Sequence, residues 1–243
     1  MGAIPQNFLM NLRFPCRAIP DGFDPSRLSP EALGATHRTP CWSRRARAAS
    51  EKIAEETAPT SRNSSNESLF DFRIGWSNAG LLMTTVVDGK SEQRIFTRAR
   101  LDEADELIVC LDARDFKESH RASRFCSKFA FYPLIGEKGA QGAPMAERRP
   151  LSRAKGAPSP FDPNEIAMAS ERRARGCAFS AFIPSEALAG FDPTEFNRFG
   201  LHFRLRDAEL GDFVLQLDAP FPVEDDPSLW ASFVMLGAPI PQD

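Results

Sequence analysis

Tyrosine and tryptophan are scarce in this chain: one Tyr and three Trp stand beside twenty Phe in 243 residues. Phe fills cores without a polar handle, whereas Tyr and Trp suit half-wet pockets, so a broad aromatic ligand platform is not expected. Histidine is limited to His37, His120 and His202, and the five cysteines (Cys16, Cys41, Cys110, Cys126, Cys177) form no C-x-x-C pair. Without ligand spacing a zinc centre is not expected. Cys110 and Cys177 fall inside apolar strand patterns, the usual setting of a buried free thiol, which points to a reducing compartment. No apolar run is long enough to span a bilayer. Met1–Phe8 lacks the charged start and apolar run of a secretory leader, and Gln6 stands where a myristoylation signal wants Ser or Thr. A cytoplasmic chain away from membranes is therefore expected. The formal net charge of −3 and the pI near 5.8 argue against a nucleic-acid partner. Also missing are a Gly-rich phosphate loop opening a helix and a G-x-S-x-G elbow.

What the chain does contain is a run of period-two patterns. Phe70, Phe72, Ile74 and Trp76 alternate with Asp71, Arg73 and Gly75, as in a half-buried strand. Ser77-Asn78-Ala79-Gly80 turns the chain, and Leu81–Val87 returns as the second arm of a hairpin. Glu106–Asp112 is apolar on both faces, the mark of a central strand. Phe125, Phe129 and Phe131 define another. Ile166–Ser170 and Cys177–Ile183 read as a hairpin, and Pro184–Gly190 as one or two helical turns closed by Gly190. In the clearest hairpin Phe199, Leu201, Phe203 and Leu205 share one face, while Arg198, His202, Arg204 and Arg206 form a polar outer row. Simple pairing sets Arg206 opposite Asp212 and His202 opposite Gln216. Ser232–Leu236 is the last strand.

Many short strands with Gly and Pro turns predict an all-β fold: a two-sheet antiparallel β-sandwich, jelly-roll or immunoglobulin-like, with one or two short helices and long loops. The expected organisation is an N-terminal strand (Leu12–Cys16) plus a loosely structured, partly disordered segment packing on the sandwich over 1–68. The sandwich occupies 69–236, with a flexible Gly-, Ala-, Pro- and Arg-rich insertion over 136–165, and a tail follows at 237–243. Within the N-terminal segment, Ser43–Thr57 reads as a loop or marginal helix because its basic residues precede its acids, against the helix dipole.

Gly75-Trp76-Ser77-Asn78-Ala79-Gly80-Leu81 followed by Val87-Asp88-Gly89 resembles the opening of family 9 carbohydrate-binding modules and their DOMON-like relatives. Asp105–Asp115 resembles their central strand running into an acidic loop. Ala181-Phe182-Ile183-Pro184 is similar to their strand–proline–helix step, and Phe199–Asp207 to a late strand. The resemblance covers roughly 70–135 and 177–236. It implies a sandwich that holds sugar between aromatic side chains, often with structural calcium. This chain departs from that pattern, since a second exposed aromatic has no clear match.

Candidate contacts follow from the dense polar loop after the central strand and from one aromatic. Arg114, Asp115, His120 and Arg124 are the expected hydrogen-bonding groups, because binding residues belong on loops held by a rigid sheet. Trp230, beside the polar stretch Glu224–Leu229, is the expected stacking surface; Trp76 shares the face of Phe72 and reads as core. Calcium would need Asp112, Asp115, Asp225 and Asp226 to converge. Cys126 with His120 and Asp115 matches no nucleophile spacing, so no catalytic residue is expected. The reading is a non-catalytic binding module for carbohydrate or a polyol. The alternative is a protein–protein interaction or scaffold domain on the same fold without a sugar site.

Overall fold

The computed structural model describes residues 12–20, 22–43, 69–137, 141–156, 160–215 and 222–237. They form thirteen strands: β1 (Arg13–Ala18), β2 (Arg38–Thr39), β3 (Trp42–Ser43), β4 (Phe70–Ser77), β5 (Gly80–Val87), β6 (Glu106–Asp112), β7 (Cys126–Ile135), β8 (Ala143–Arg148), β9 (Ala167–Arg173), β10 (Gly176–Pro184), β11 (Arg198–Asp207), β12 (Gly211–Val214) and β13 (Ala231–Leu236). Helix among the described residues is limited to three-residue 3-10 turns, one of them at Ser185–Ala187 where helical turns are expected. The all-β expectation holds. Much of Ser43–Thr57, and Gln216 opposite His202, lie outside the described residues.

Hydrogen bonds join the strands in one path, β8-β7-β6-β11-β13-β1-β4-β5-β10-β9, with β12 pairing β11 and β3, and β2 pairing β4. Division into two separate sheets is not seen in the bonding: the single sheet curls until β8 and β9, its two ends, touch. Nor is the pairing wholly antiparallel, because β1 runs parallel to both of its neighbours, β13 and β4. The expected hairpins are present, and Arg206 faces Asp212. Within the stretch expected as a flexible insertion, Ala143–Arg148 pairs with β7 as an edge strand. An edge strand needs only one partner, so a weak alternation inside Gly- and Arg-rich sequence suffices.

Curling lets the apolar faces meet. Phe70, Phe72, Ile74 and Trp76 share one buried cluster with Leu107, Val109, Leu111, Phe129, Phe131, Phe199, Leu201, Phe203 and Leu205. Phe203 stacks on Phe72 with ring centroids 4.1 Å apart and meets Phe70 edge-on at 5.9 Å, while Phe131 meets Phe179 at 5.8 Å. At the β4–β5 turn Gly80 has φ +146°, and a Cβ there would lie 2.1 Å from the Ile183 carbonyl oxygen, so only glycine fits.

Both outer faces are covered as well. Ile19 and Leu33 lie over Leu82 and Phe182 on one half; Val223 and Trp230 lie over Ile108, Cys110, Ala130 and Tyr132 on the other. The second cover removes His202 from the expected polar outer row, while Arg198 stays exposed and Arg204 and Arg206 stay half-buried: His202 is fully buried, paired across the ladder with Cys110, and neither ring nitrogen has a hydrogen-bond partner. Alternation puts His202 on the outer face but does not show that residues 222–230 close over it.

Two measurements follow. Phe203→Ala should lower the unfolding free energy by about 3–5 kcal/mol in denaturant titration, the cost of a large aromatic cavity; a loss under about 1 kcal/mol would mean the rings do not hold the halves together. Burial pushes the His202 pKa down from 6.5 to about 4. The unfolded chain therefore takes the proton first, and stability present above pH 6.5 is lost as pH falls toward 4. That share is on the order of 3 kcal/mol at about 1.4 kcal/mol per pKa unit. His202→Leu should flatten this part of the pH profile, and an unchanged slope would contradict the assignment.

Candidate ligand-binding site

β6 has a polar group at each end, and the two ends differ. At its C-terminal end the Asp112 carboxylate accepts the backbone N–H of Arg114 at 3.0 Å and of Phe116 at 2.8 Å, which folds the following loop. Burial pushes the Asp112 pKa up, with those two N–H groups opposing. Asp115, in the left-handed region at φ 49°, accepts Ser232 Oγ–H at 2.6 Å and pairs with Lys117 at 2.7 Å and Arg198 at 3.2 Å. Arg114 lies over the Phe196 ring at 3.7 Å and the Phe125 ring at 5.1 Å, and meets Glu195 at 3.4 Å. Arg124 is exposed over Phe125 at 4.8 Å. The exposed His120 sets Nδ1 3.0 Å from Asp226 and 2.9 Å from Ser228 Oγ.

The structure thus gathers the five expected contact residues at one end, tied to the 226–232 segment, but uses most of them as braces. Trp230 is the plainest correction. It is 0% exposed, its Nε1–H donates to the Val223 carbonyl at 2.6 Å, and no ring face is open for stacking. The outer surface of β6, β7 and β11 is itself apolar, and covering it takes a large side chain; Trp230 supplies one. Calcium finds no place here either. Asp115 is held by an ammonium and a guanidinium, Asp225 by the Ser152 N–H and Lys128, and Asp226 by His120 and Ser228. Among the described residues no group of three or more His, Cys, Asp or Glu is placed to hold a metal. Burial raises the Cys126 thiol to about 11, far from thiolate.

The other end of β6 lies roughly 20 Å away at ~3.4 Å per residue. There Glu106, buried at its carboxylate, accepts Tyr132 Oη–H at 2.8 Å and meets Arg149 at 3.3 Å and Arg206 at 3.4 Å. Arg149 also donates to Tyr132 Oη, and Arg206 donates to the Leu101 carbonyl at 3.3 Å. Burial, reinforced by Glu106, raises the Tyr132 pKa to about 12, so the phenol stays a donor. Half-buried Phe96, Leu101 and Met145 pack against the same cluster.

Asp105, the residue before Glu106, borders a cavity of about 240 Å³ together with Lys90, Arg94, Phe96 and Glu209; the network residues themselves do not line it. The Lys90 ammonium is buried between Asp105 and Asp207, and Gln93 Nε2–H also donates to Asp105 at 3.0 Å. Burial disfavours that ammonium, yet the two carboxylates outweigh it and the Lys90 pKa is raised. A guanidinium, an ammonium, carboxylates and one apolar ring around a concavity are groups that hydrogen-bond hydroxyls and pack on the C–H face of a small ring. None of these residues stands out in the sequence. An available signal is the charged stretch 90–105, which holds Lys90, Glu92, Arg94 and Asp105 around Phe96.

No protein-family model matches the chain, and no curated protein matches it. Solved structures do. A family 9 carbohydrate-binding module from Caldicellulosiruptor kristjanssonii in complex with cellotriose superposes with a TM-score of 0.55 at 12% identity, covering 95% of this chain and 99% of that one. The same organism's family 9 module in complex with glucose gives 0.55 at 11% identity, covering 93% and 96%. The chain has the fold of a family 9 carbohydrate-binding module. No helix among the described residues is long and apolar enough to cross a membrane.

Proposed function

We propose that the chain is a non-catalytic carbohydrate-binding module, a β-sandwich of the family 9 type, that takes a neutral sugar or polyol at the Glu106 end of β6. The observation that carries this reading is the cavity of about 240 Å³ bordered by Arg94, Phe96, Asp105 and Glu209. It stands in a fold whose solved counterparts hold cellotriose and glucose. Arg94 and Lys90 are donors, Asp105 and Glu209 are acceptors, and Phe96 offers an apolar ring. At about 240 Å³ the cavity is smaller than the ~300–1,000 Å³ of drug-sized pockets, which suits one sugar ring better than a long saccharide.

In this reading Arg114, Asp115 and Trp230 brace the opposite end and do not touch sugar. The buried thiols of Cys16, Cys110, Cys126 and Cys177 support placing the protein in a reducing compartment.

Calorimetry with glucose and cellotriose tests the proposal. Binding is expected, and Phe96→Ala or Arg94→Ala should weaken it by at least ~tenfold, about 1.4 kcal/mol, with the unfolding transition of Arg94→Ala unchanged because Arg94 is exposed. Sugar binding that survives both substitutions would put the ligand elsewhere. Silence toward every neutral saccharide would leave the scaffold alternative.

A further inference from the structure

The loop that does not carry the proposed sugar site has an outer surface of its own. Residues 117–124 and 151–156 are stitched together: the Lys155 N–H donates to the Ala122 carbonyl at 2.8 Å, and Arg121 Nε–H donates to the Arg153 carbonyl at 2.8 Å. This brings Arg121, Arg124, Arg153 and Lys155, all exposed, onto one patch. Among the described residues no carboxylate pairs with any of the four. Arg121 bonds a carbonyl, and Arg124 rests on the Phe125 ring at 4.8 Å. The neighbouring acids are engaged elsewhere, Asp225 by Ser152 N–H and Lys128, Asp226 by His120 and Ser228. Glu118 is the opposing exposed charge in the loop. Arg153 sits at φ 59°, in the left-handed region.

Four cations without acid partners are an unusual concentration on a chain of net charge −3. A solvated face usually mixes signs, and unpaired guanidiniums repel one another unless an anion sits between them. Guanidinium forks match carboxylates bidentately, and Arg124, laid over a ring, loses little freedom on doing so.

We propose that this patch binds the carboxylates of an acidic polysaccharide, a second contact surface separate from the neutral-sugar cavity. The inference rests on the preceding reading only in choosing a glycan over a nucleic acid. Charge density favours the same choice. A polyuronate carries one charge per sugar ring, which a four-cation patch can match. A duplex carries one per ~1.7 Å and would press the remaining acidic surface against its phosphates.

The test is calorimetry or affinity electrophoresis of the full chain with polygalacturonate, a single-stranded oligonucleotide of equal charge, and cellotriose, at low and at physiological salt. The comparison variant combines Arg121→Ser, Arg153→Asn and Lys155→Ser, all at exposed positions, with its unfolding transition checked against the parent. Polygalacturonate binding by the parent, at least tenfold weaker in the variant and less steep in its salt dependence, is the expected result. Absent polygalacturonate binding, equal binding by parent and variant, or tighter binding of the oligonucleotide would each overturn the proposal. If polygalacturonate binding behaves as expected while cellotriose does not bind, the patch stands and the neutral-sugar reading fails.

Discussion

Phe203 lies against Phe72 and Phe70, and with this contact the half of the sheet that carries β11 meets the half that carries β4. Each strand commits alternate residues to that meeting, so the direction in which every other side chain points is settled at the same time. The outward-pointing set is itself largely apolar: Ile108, Cys110 and Ala130 on one half, Leu82 and Phe182 on the other. Left open, those surfaces would cost the burial energy of a second core. The chain answers with two covers, Ile19 and residues 23–33 over one face and 222–230 over the other.

That arrangement separates the two ends of β6. At Asp112 the cover passes directly overhead, and the charged side chains of the loop are drawn into holding it: Lys117 on the Trp230 carbonyl, His120 on Asp226, Asp115 on Ser232. At Glu106 the carboxylate is met by Tyr132, Arg149 and Arg206 from the side, and a cavity opens at the neighbouring Asp105.

The strands were legible in the sequence where large apolar residues recur at every second position and the turn chemistry is strong, as in Phe70–Val87 and Arg198–Val214. Period-two reading identifies a face, but it cannot say whether a distant segment lies on top of it. His202 and Trp230 were misplaced for that one reason: both sit under or within a cover formed by residues far along the chain. The parallel seating of β1 and the edge pairing of β8 were hidden for a related cause, since neither depends on a hairpin partner close in sequence. Glu106 and Tyr132 were each correctly assigned to strands. Their meeting depends on the register between β6 and β7, which local patterning does not encode.

β1 occupies the middle of the hydrogen-bonded path, with Phe14 beside Phe233 of the final strand and Arg17 beside Gly75 of β4. Its position makes assembly a late event. The segment made early in synthesis must wait for β13, more than two hundred residues downstream, before its second edge is satisfied. Until then β1 and β11, the two strands that β13 joins, each expose an unpaired edge. A fold built on such distant pairing is slow to form and leaves the nascent chain dependent on protection from its neighbours. Truncation near either terminus would accordingly open the sheet at its centre, not fray it at the margin.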